Sequence, residues 1–253
     1  MGTVFSRRGL SGQLAGDLGR RIVDGTLAPG TTIDVEALEV EASVSRTVVR
    51  ESLKVLTDKG LLDARPRIGT YVLPRASWNL LDSDVMTWRA EGGMSDRLLG
   101  ELDQLRHMIE PWAAAAAAER RTEDDLADLR DALDAMSGAF AAHRASRVSQ
   151  LEAHIEADIA FHSAILTATH NELVSHMDHM LRPILAFRDA LIPESDQNEA
   201  FLDAHLAVLR AIEESDGAGA QRAMTALLDA AAADVDRLAV VPGAALPTDP
   251  SST

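Results

Sequence analysis

Val44-Ser45-Arg46-Thr47-Val48-Val49-Arg50-Glu51-Ser52-Leu53 reads as the opening of an α-helix with polar and cationic residues on one side and apolar residues on the other. Ser45 is suited to cap it. Val48, Val49, Leu53 and Leu56 recur at helical spacing, and Lys59-Gly60 offers a cationic last turn followed by a C-terminal glycine. Upstream, Leu10, Leu14, Leu18 and Ile22 mark one buried face and predict a helix over 10–23, ended by Gly25 and Pro29-Gly30. A short helix over 34–42, capped by Asp34, leads into a tight turn at Ser43-Val44-Ser45. Downstream, 61–65 and 70–73 are β-prone and joined by the turn Pro66-Arg67-Ile68-Gly69. Helix, helix, turn, helix, hairpin is the order of a winged helix-turn-helix.

In that arrangement the N-terminal end of the third helix enters the major groove of DNA. Ser45, Arg46, Thr47 and Arg50 fall on that end, and Arg46 and Arg50, four apart, share a face. An arginine fork can take guanine O6 and N7 together, while Ser and Thr hydroxyls suit phosphates. At the wing tip, Arg67 and Gly69 can approach the backbone or the minor groove. A solvated cationic helix face accounts for the same spacing, so spacing alone leaves both readings open.

With 253 residues the chain has room for two modest domains. It has no cysteine, which excludes disulfides, zinc ribbons and thiol catalysis. The formal net charge of −16 is unevenly spread. Residues 1–75 hold 11 Lys and Arg against 9 Asp and Glu, a net +2; the rest holds 13 against 31, a net −18. An acidic body is repelled by phosphate, so only the head is expected to touch nucleic acid; acidic helix surfaces that keep a protein soluble give the same composition. No apolar run approaches the roughly 20 residues of a membrane span. The N-terminus also lacks a signal-peptide stretch. A soluble, cytoplasmic protein with no membrane partner is expected.

Beyond the hairpin, 76–94 reads as a linker and short helix that Trp78, Leu80 and Leu81 pack down. Helical patterns then cover 84–91, 95–121 with a bend at Pro111, 122–143, 147–169, 172–191, 195–214 and 217–239. The expected fold is mostly α: a winged helix-turn-helix over 1–75 and an all-α bundle of six to seven helices over 95–240. The proline-rich tail 241–253 is expected to be disordered.

Asp158 and His162, four apart, point the same way on a helix, and His205 lies on a later one. Such a set can hold a metal; a buried histidine hydrogen-bonded to a carboxylate explains it equally simply. His107, His154, His170, His176 and His179 read as ordinary surface or core residues.

The head resembles the GntR type of winged helix. The resemblance is carried by Asp24-Gly25-Thr26-Leu27-Ala28-Pro29-Gly30, by 44–51, by 56–62 and by Ala64-Arg65-Pro66-Arg67-Ile68-Gly69-Thr70. It implies base or phosphate contacts by Ser45, Arg46, Thr47 and Arg50, with the wing at Gly69. Glu36 departs from it, since the family usually has an arginine there. Residues 95–239 resemble the all-α ligand domain called FCD, through Leu105-Arg106-His107-Met108-Ile109-Glu110-Pro111, Ala157-Asp158-Ile159-Ala160-Phe161-His162, Asn171-Glu172-Leu173, His205 and 216–220.

That second resemblance implies a divalent ion (zinc, nickel or manganese) held by Asp158, His162 and His205. Leu227 stands where a third histidine is usual. It also implies a small carboxylic acid as effector. Arg106, on an otherwise apolar helix beside Leu102, Leu105 and Ile109, is the expected partner of its carboxylate, with Arg188 as a second candidate. An Arg106–Glu110 surface pair is the plain alternative. Asn171 is placed near the cavity by the resemblance, although helix capping suits it as well. The stretch 75–88, with Ala64-Arg65-Pro66-Arg67 in the wing, is similar to the branch of the family that regulates sugar-acid catabolism, which implies an aldonate-like effector. The expected function is therefore a homodimeric repressor, released from double-stranded operator DNA by that acid. A metal-dependent enzyme of sugar-acid metabolism, and an adaptor whose helical body only dimerises, are the alternatives.

Overall fold

The computed structural model describes residues 9–92, 96–142, 148–178, 182 and 199–239. They divide into a unit ending at Gly93 and a unit beginning at Met94.

In the first unit, helices α1 (Leu10–Val23), α2 (Val35–Glu41) and α3 (Arg46–Asp58) precede a hairpin of β1 (Leu62–Arg65) and β2 (Gly69–Val72). The caps follow the sequence chemistry. Asp34 accepts from the Glu36 and Ala37 amides, and Ser45 from the Val48 amide. Leu14, Leu18 and Ile22 of α1 meet Val49, Leu53 and Leu56 of α3 in one core. Leu10, expected on that buried face, is 60% exposed; it is the first residue of α1, and the buried stripe begins one turn later.

The hairpin pairs Leu62 with Val72 and Arg65 with Gly69. Arg67 and Gly69 take left-handed φ values of 71° and 90° to close the turn. The Pro29-Gly30 segment, read from sequence only as a helix stop, also docks on β2: the Ile33 amide donates to the Thr70 carbonyl and the Val72 amide to the Thr31 carbonyl.

Of the stretch 76–94, the described residues 76–92 belong to this first unit. After a short 3-10 turn at Arg75–Ser77, helix α4 (Ser83–Glu91) packs on α1. Trp88 is buried against Gly19, where a Cβ would overlap the indole ring, so only glycine permits this approach. Lys59, at the end of α3, reaches Asp82 at 2.7 Å and Asp84 at 2.9 Å, next to the start of α4. Burial opposes the Lys59 ammonium, but the hydrogen bonds and charges of both aspartates outweigh it and raise its pKa.

The second unit is helical: α5 (Asp96–Arg120), α6 (Glu123–Ala142), α7 (Val148–Ala168), α8 (Glu172–Ser175), α9 (Glu199–Glu213) and α10 (Gly217–Ala239). Pro111 lies inside α5, which runs on through it. Ala113, Ala114, Ala117 and Ala118 of α5 are buried with Leu129 and Met136 of α6, Phe161 and Ile165 of α7, Val208 and Ile212 of α9, and Met224 and Leu228 of α10. Small side chains let α5 and α10 approach closely: a Cβ on Gly217 would lie 3.3 Å from the Ala115 carbonyl oxygen.

The continuous helix expected over 172–191 does not form at its start. A single turn, Glu172–Ser175, gives way to a turn at 176–177. There the Met177 amide bonds the Val174 carbonyl three residues back, and the Ser175 hydroxyl donates to the Asn171 and Leu166 carbonyls. Residues 179–181 and 183–198, His179 and Arg188 among them, and the tail 241–253 lie outside the described residues. Among the described residues no helix is long and apolar enough to cross a membrane.

Candidate functional site

Two groups of side chains carry chemistry, one in each unit. In the first, Ser45, Arg46, Thr47 and Arg50 are all exposed at the N-terminal end of α3, as helical spacing predicts. Arg67 and Gly69 are exposed at the wing tip. Arg46 is flanked by carboxylates of α2: Glu36 Oε1 lies 3.9 Å from its Nη1 and Glu39 Oε1 lies 3.8 Å from its Nε. The Arg-to-Glu departure at position 36 is therefore a direct neighbour of the leading arginine.

In the second unit, α5, α7 and α9 bring Arg106, Glu110, Asp158, His162 and His205 into one buried cluster. The metal-binding atoms of Asp158, His162 and His205 all lie within 4.8 Å of one another. Second contacts orient both imidazoles. His205 Nδ1 donates to the Phe201 carbonyl at 2.8 Å. Its Nε2, 3.0 Å from Asp158 Oδ1, is thereby turned to the carboxylate. A carbonyl can only accept, so a neutral His205 would set a lone pair against a carboxylate lone pair. A proton, on either partner, or a cation between them is required. This is the donor set and backbone bracing of a metal site, and equally of a buried imidazolium–carboxylate pair.

His162 faces both ways. Its Nε2 lies 3.7 Å from Asp158 Oδ1 and 3.3 Å from Arg106 Nη2. A guanidinium only donates, so Nε2 accepts here and the ring proton sits on Nδ1. Nδ1 is 2.6 Å from Glu110 Oε2, yet off the hydrogen-bond direction and without a hydrogen-bond partner.

Arg106 also binds Glu110, through Nε at 2.5 Å and Nη2 at 3.4 Å. The Arg106–Glu110 pair offered from sequence as a surface feature exists, but both side chains are almost fully buried. The reason is that this face of α5 packs against the rest of the bundle. Burial pushes the Glu110 carboxyl up, but the Arg106 guanidinium and the adjacent His162 ring outweigh it and hold its pKa far below the usual range. Glu110 is the residue that sequence reading missed as part of the site. Its place four residues after Arg106 on an apolar helix was the available signal.

Asn171 caps α8, its side-chain oxygen accepting from the Leu173 amide at 3.1 Å. Leu227 is buried in the apolar core, so no third histidine is supplied from that position. His107 pairs with Asp229 of α10, His170 with Asp125 of α6, and the His154 ring lies against Phe201 at a tilt of 49°.

Comparison with known proteins agrees with this division. Residues 10–72 match the bacterial regulatory proteins of the gntR family, and residues 101–230 match the FCD domain. The galactonate operon transcriptional repressor of Escherichia coli (strain K12) is 33% identical over 83% of this chain and 90% of its own. The HTH-type transcriptional regulator LutR of Bacillus subtilis (strain 168) is 32% identical over 82% of this chain and 92% of its own. Among solved structures, one described as Lar, which controls expression of the Listeria monocytogenes agr system, shares the fold with a TM-score of 0.63 at 17% identity, covering 91% of this chain and 98% of its own. These relatives are transcription regulators, which sets aside the enzyme reading. The chain belongs to the GntR family of bacterial transcription regulators and carries the FCD type of helical domain.

Proposed function

We propose that the protein is a homodimeric repressor that leaves its operator when the second unit binds a small carboxylic acid of the sugar-acid class, such as an aldonate. The observation that carries the reading is the buried convergence of Arg106, Asp158, His162 and His205 in one cluster. Charges so deeply buried are costly unless paired, and a cluster of cations and carboxylates suits a polar, ionised ligand. The similarity to a galactonate operon repressor points to the same ligand class.

Asp158, His162 and His205 are the residues that would hold a divalent ion. The ion would supply a Lewis-acid anchor for hydroxyl and carboxylate oxygens. Arg106 Nη2 now rests on the His162 nitrogen that a metal would use. Released from it, the guanidinium keeps Glu110 and offers an edge to the effector carboxylate. In the first unit, Ser45, Arg46, Thr47, Arg50, Arg67 and Gly69 form the DNA surface. A two-fold dimer matches a palindromic operator. The effector weakens binding by favouring the arrangement of the two heads that fits the half-sites less well, and only to the extent of its differential affinity.

The test is fluorescence anisotropy of the full-length protein on DNA from upstream of its own gene, at fixed salt, with a panel of aldonates titrated in. Release by one acid is the expected result. Binding that no acid relieves removes the effector assignment. Arg106→Ala and His205→Ala variants that still respond like the unaltered protein would show that the effector sits elsewhere. A promoter-reporter strain lacking the gene reads the direction, with rising output expected for a repressor.

A further inference from the structure

We propose that Glu36 is a specificity-determining residue of the DNA surface, accepting from the amino group of a cytosine whose paired guanine is read by Arg46. The proposal rests on the DNA-binding reading above.

Two carboxylates of α2 bracket the Arg46 guanidinium, and they are not equivalent. Glu39 is the inner one, 28% exposed, its Oε1 buried without a hydrogen-bond partner and 3.8 Å from Arg46 Nε. It holds the arginine from behind. Glu36 is the outer one, 82% exposed and 3.9 Å from Nη1, on the side chain's solvent face. A carboxylate placed there on a DNA surface is repelled by phosphate, so a contact with the backbone is not open to it. The groups that would accept its charge are Arg46 and hydrogen-bond donors on base edges.

The major-groove edge of a G·C pair presents N7, O6 and the cytosine N4 amino group in that order, two acceptors followed by a donor. An arginine fork with a carboxylate beside it presents the complement, two donors followed by an acceptor. The Arg46–Glu36 pair has that order of charge. An A·T pair places its amino donor between two acceptors, which would set the N6 hydrogens against the guanidinium. The juxtaposed pair therefore selects G·C, and in a defined orientation. An arginine at position 36 would instead add a second cation and lose this acceptor.

The test uses full-length protein as it stands, with Glu36→Ala to remove the acceptor and Glu36→Gln to remove only the charge. A duplex is selected from a randomised library with the unaltered protein, and each base pair is then replaced in turn and scored by anisotropy at fixed salt. For the unaltered protein, replacing G·C by A·T at one position in each half-site should weaken binding by about tenfold or more. Glu36→Ala removes only the cytosine contact, so it should lessen the penalty at that position by about threefold, leaving the part that Arg46 supplies through the guanine, and should leave the other positions as they were. Circular dichroism should be unchanged, because Glu36 is exposed. If both variants tighten binding to every duplex alike and keep the same profile, Glu36 acts only by repelling phosphate and the proposal is overturned. An unchanged profile with unchanged affinity overturns it too. Failure of the unaltered protein to select any sequence would instead overturn the DNA-binding reading beneath it.

Discussion

Replacing Arg106 by methionine is expected to destabilise the second unit by about 3–5 kcal/mol, the usual cost of stranding one partner of a buried ion pair. Methionine keeps most of the aliphatic volume, so the loss reports charge rather than a cavity. Glu110 would be left about 1% exposed, without the partner now 2.5 Å from its Oε1. His162 Nδ1, 2.6 Å from Glu110 Oε2, lies off the hydrogen-bond direction and would make up only part of the loss. For a unit covering residues 94–248, this corresponds to a fall in melting temperature of roughly 6–20 °C. Scanning calorimetry of the full-length protein in chelator should show that loss in one of two transitions. The double variant Arg106→Met with Glu110→Met removes both charges and should recover most of it, since an apolar pair of similar volume is often as stable as the ion pair it replaces. A single variant costing under about 1 kcal/mol, or a double variant no better than the single, would refute the account of this cluster as a mutually dependent buried pair.

Three other outcomes follow from the structure. Gly60→Ala should destabilise the first unit by about 1–3 kcal/mol in urea unfolding, because Gly60 has φ 72° and a Cβ there would overlap the Ser77 carbonyl oxygen. The His107–Asp229 pair should make stability pH-dependent. Burial opposes the charged ring, but the Asp103 carbonyl, Asp229 and the charges of both carboxylates raise the His107 pKa. The contribution is therefore full below about 6.5, the unfolded value, and is lost as pH rises through the folded pKa. An Asp229→Asn variant should be less stable than the unaltered protein at pH 5.5 and close to it at pH 8.5, and a gap independent of pH would contradict the assignment. Arg50→Ala should lower the slope of log affinity against log salt by about 0.9 for each phosphate that the arginine neutralises, twice that in a dimer; an unchanged slope would mean Arg50 meets no phosphate.

Much of the fold was legible because its signals are local. The four-residue spacing of Leu14, Leu18 and Ile22, the caps Asp34 and Ser45, and Gly60 after Lys59 are each read within one or two helical turns. The observed bounds of α1, Leu10–Val23, coincide with the expectation. The exception at 172–191 is also instructive. There the Ser175 hydroxyl bonds the Leu166 carbonyl on another helix, a competition that periodicity does not register. Similarly, Asn171 had two readings, and the Leu173 amide bond at 3.1 Å shows it as a cap.

The chain's own order of residues determined the helices, the wing and the exposed row Ser45, Arg46, Thr47 and Arg50, because helical spacing places side chains on a face without reference to any other element. It did not determine which charges meet. Arg106 and His162 stand 56 positions apart, and Asp158 and His205 stand 47 apart. Their convergence depends on how the alanine-rich face of α5 lets the neighbouring helices close in. Glu110 entered the site, and the Arg106 pair became buried rather than exposed, through that packing alone. Likewise Glu36 was visible as an odd residue on α2, but only the crossing of α2 and α3 put its carboxylate beside Arg46. Local chemistry is written along the chain; which distant charges share a low-dielectric pocket is decided by helix packing, where burial makes each unpaired charge costly and so fixes its partner.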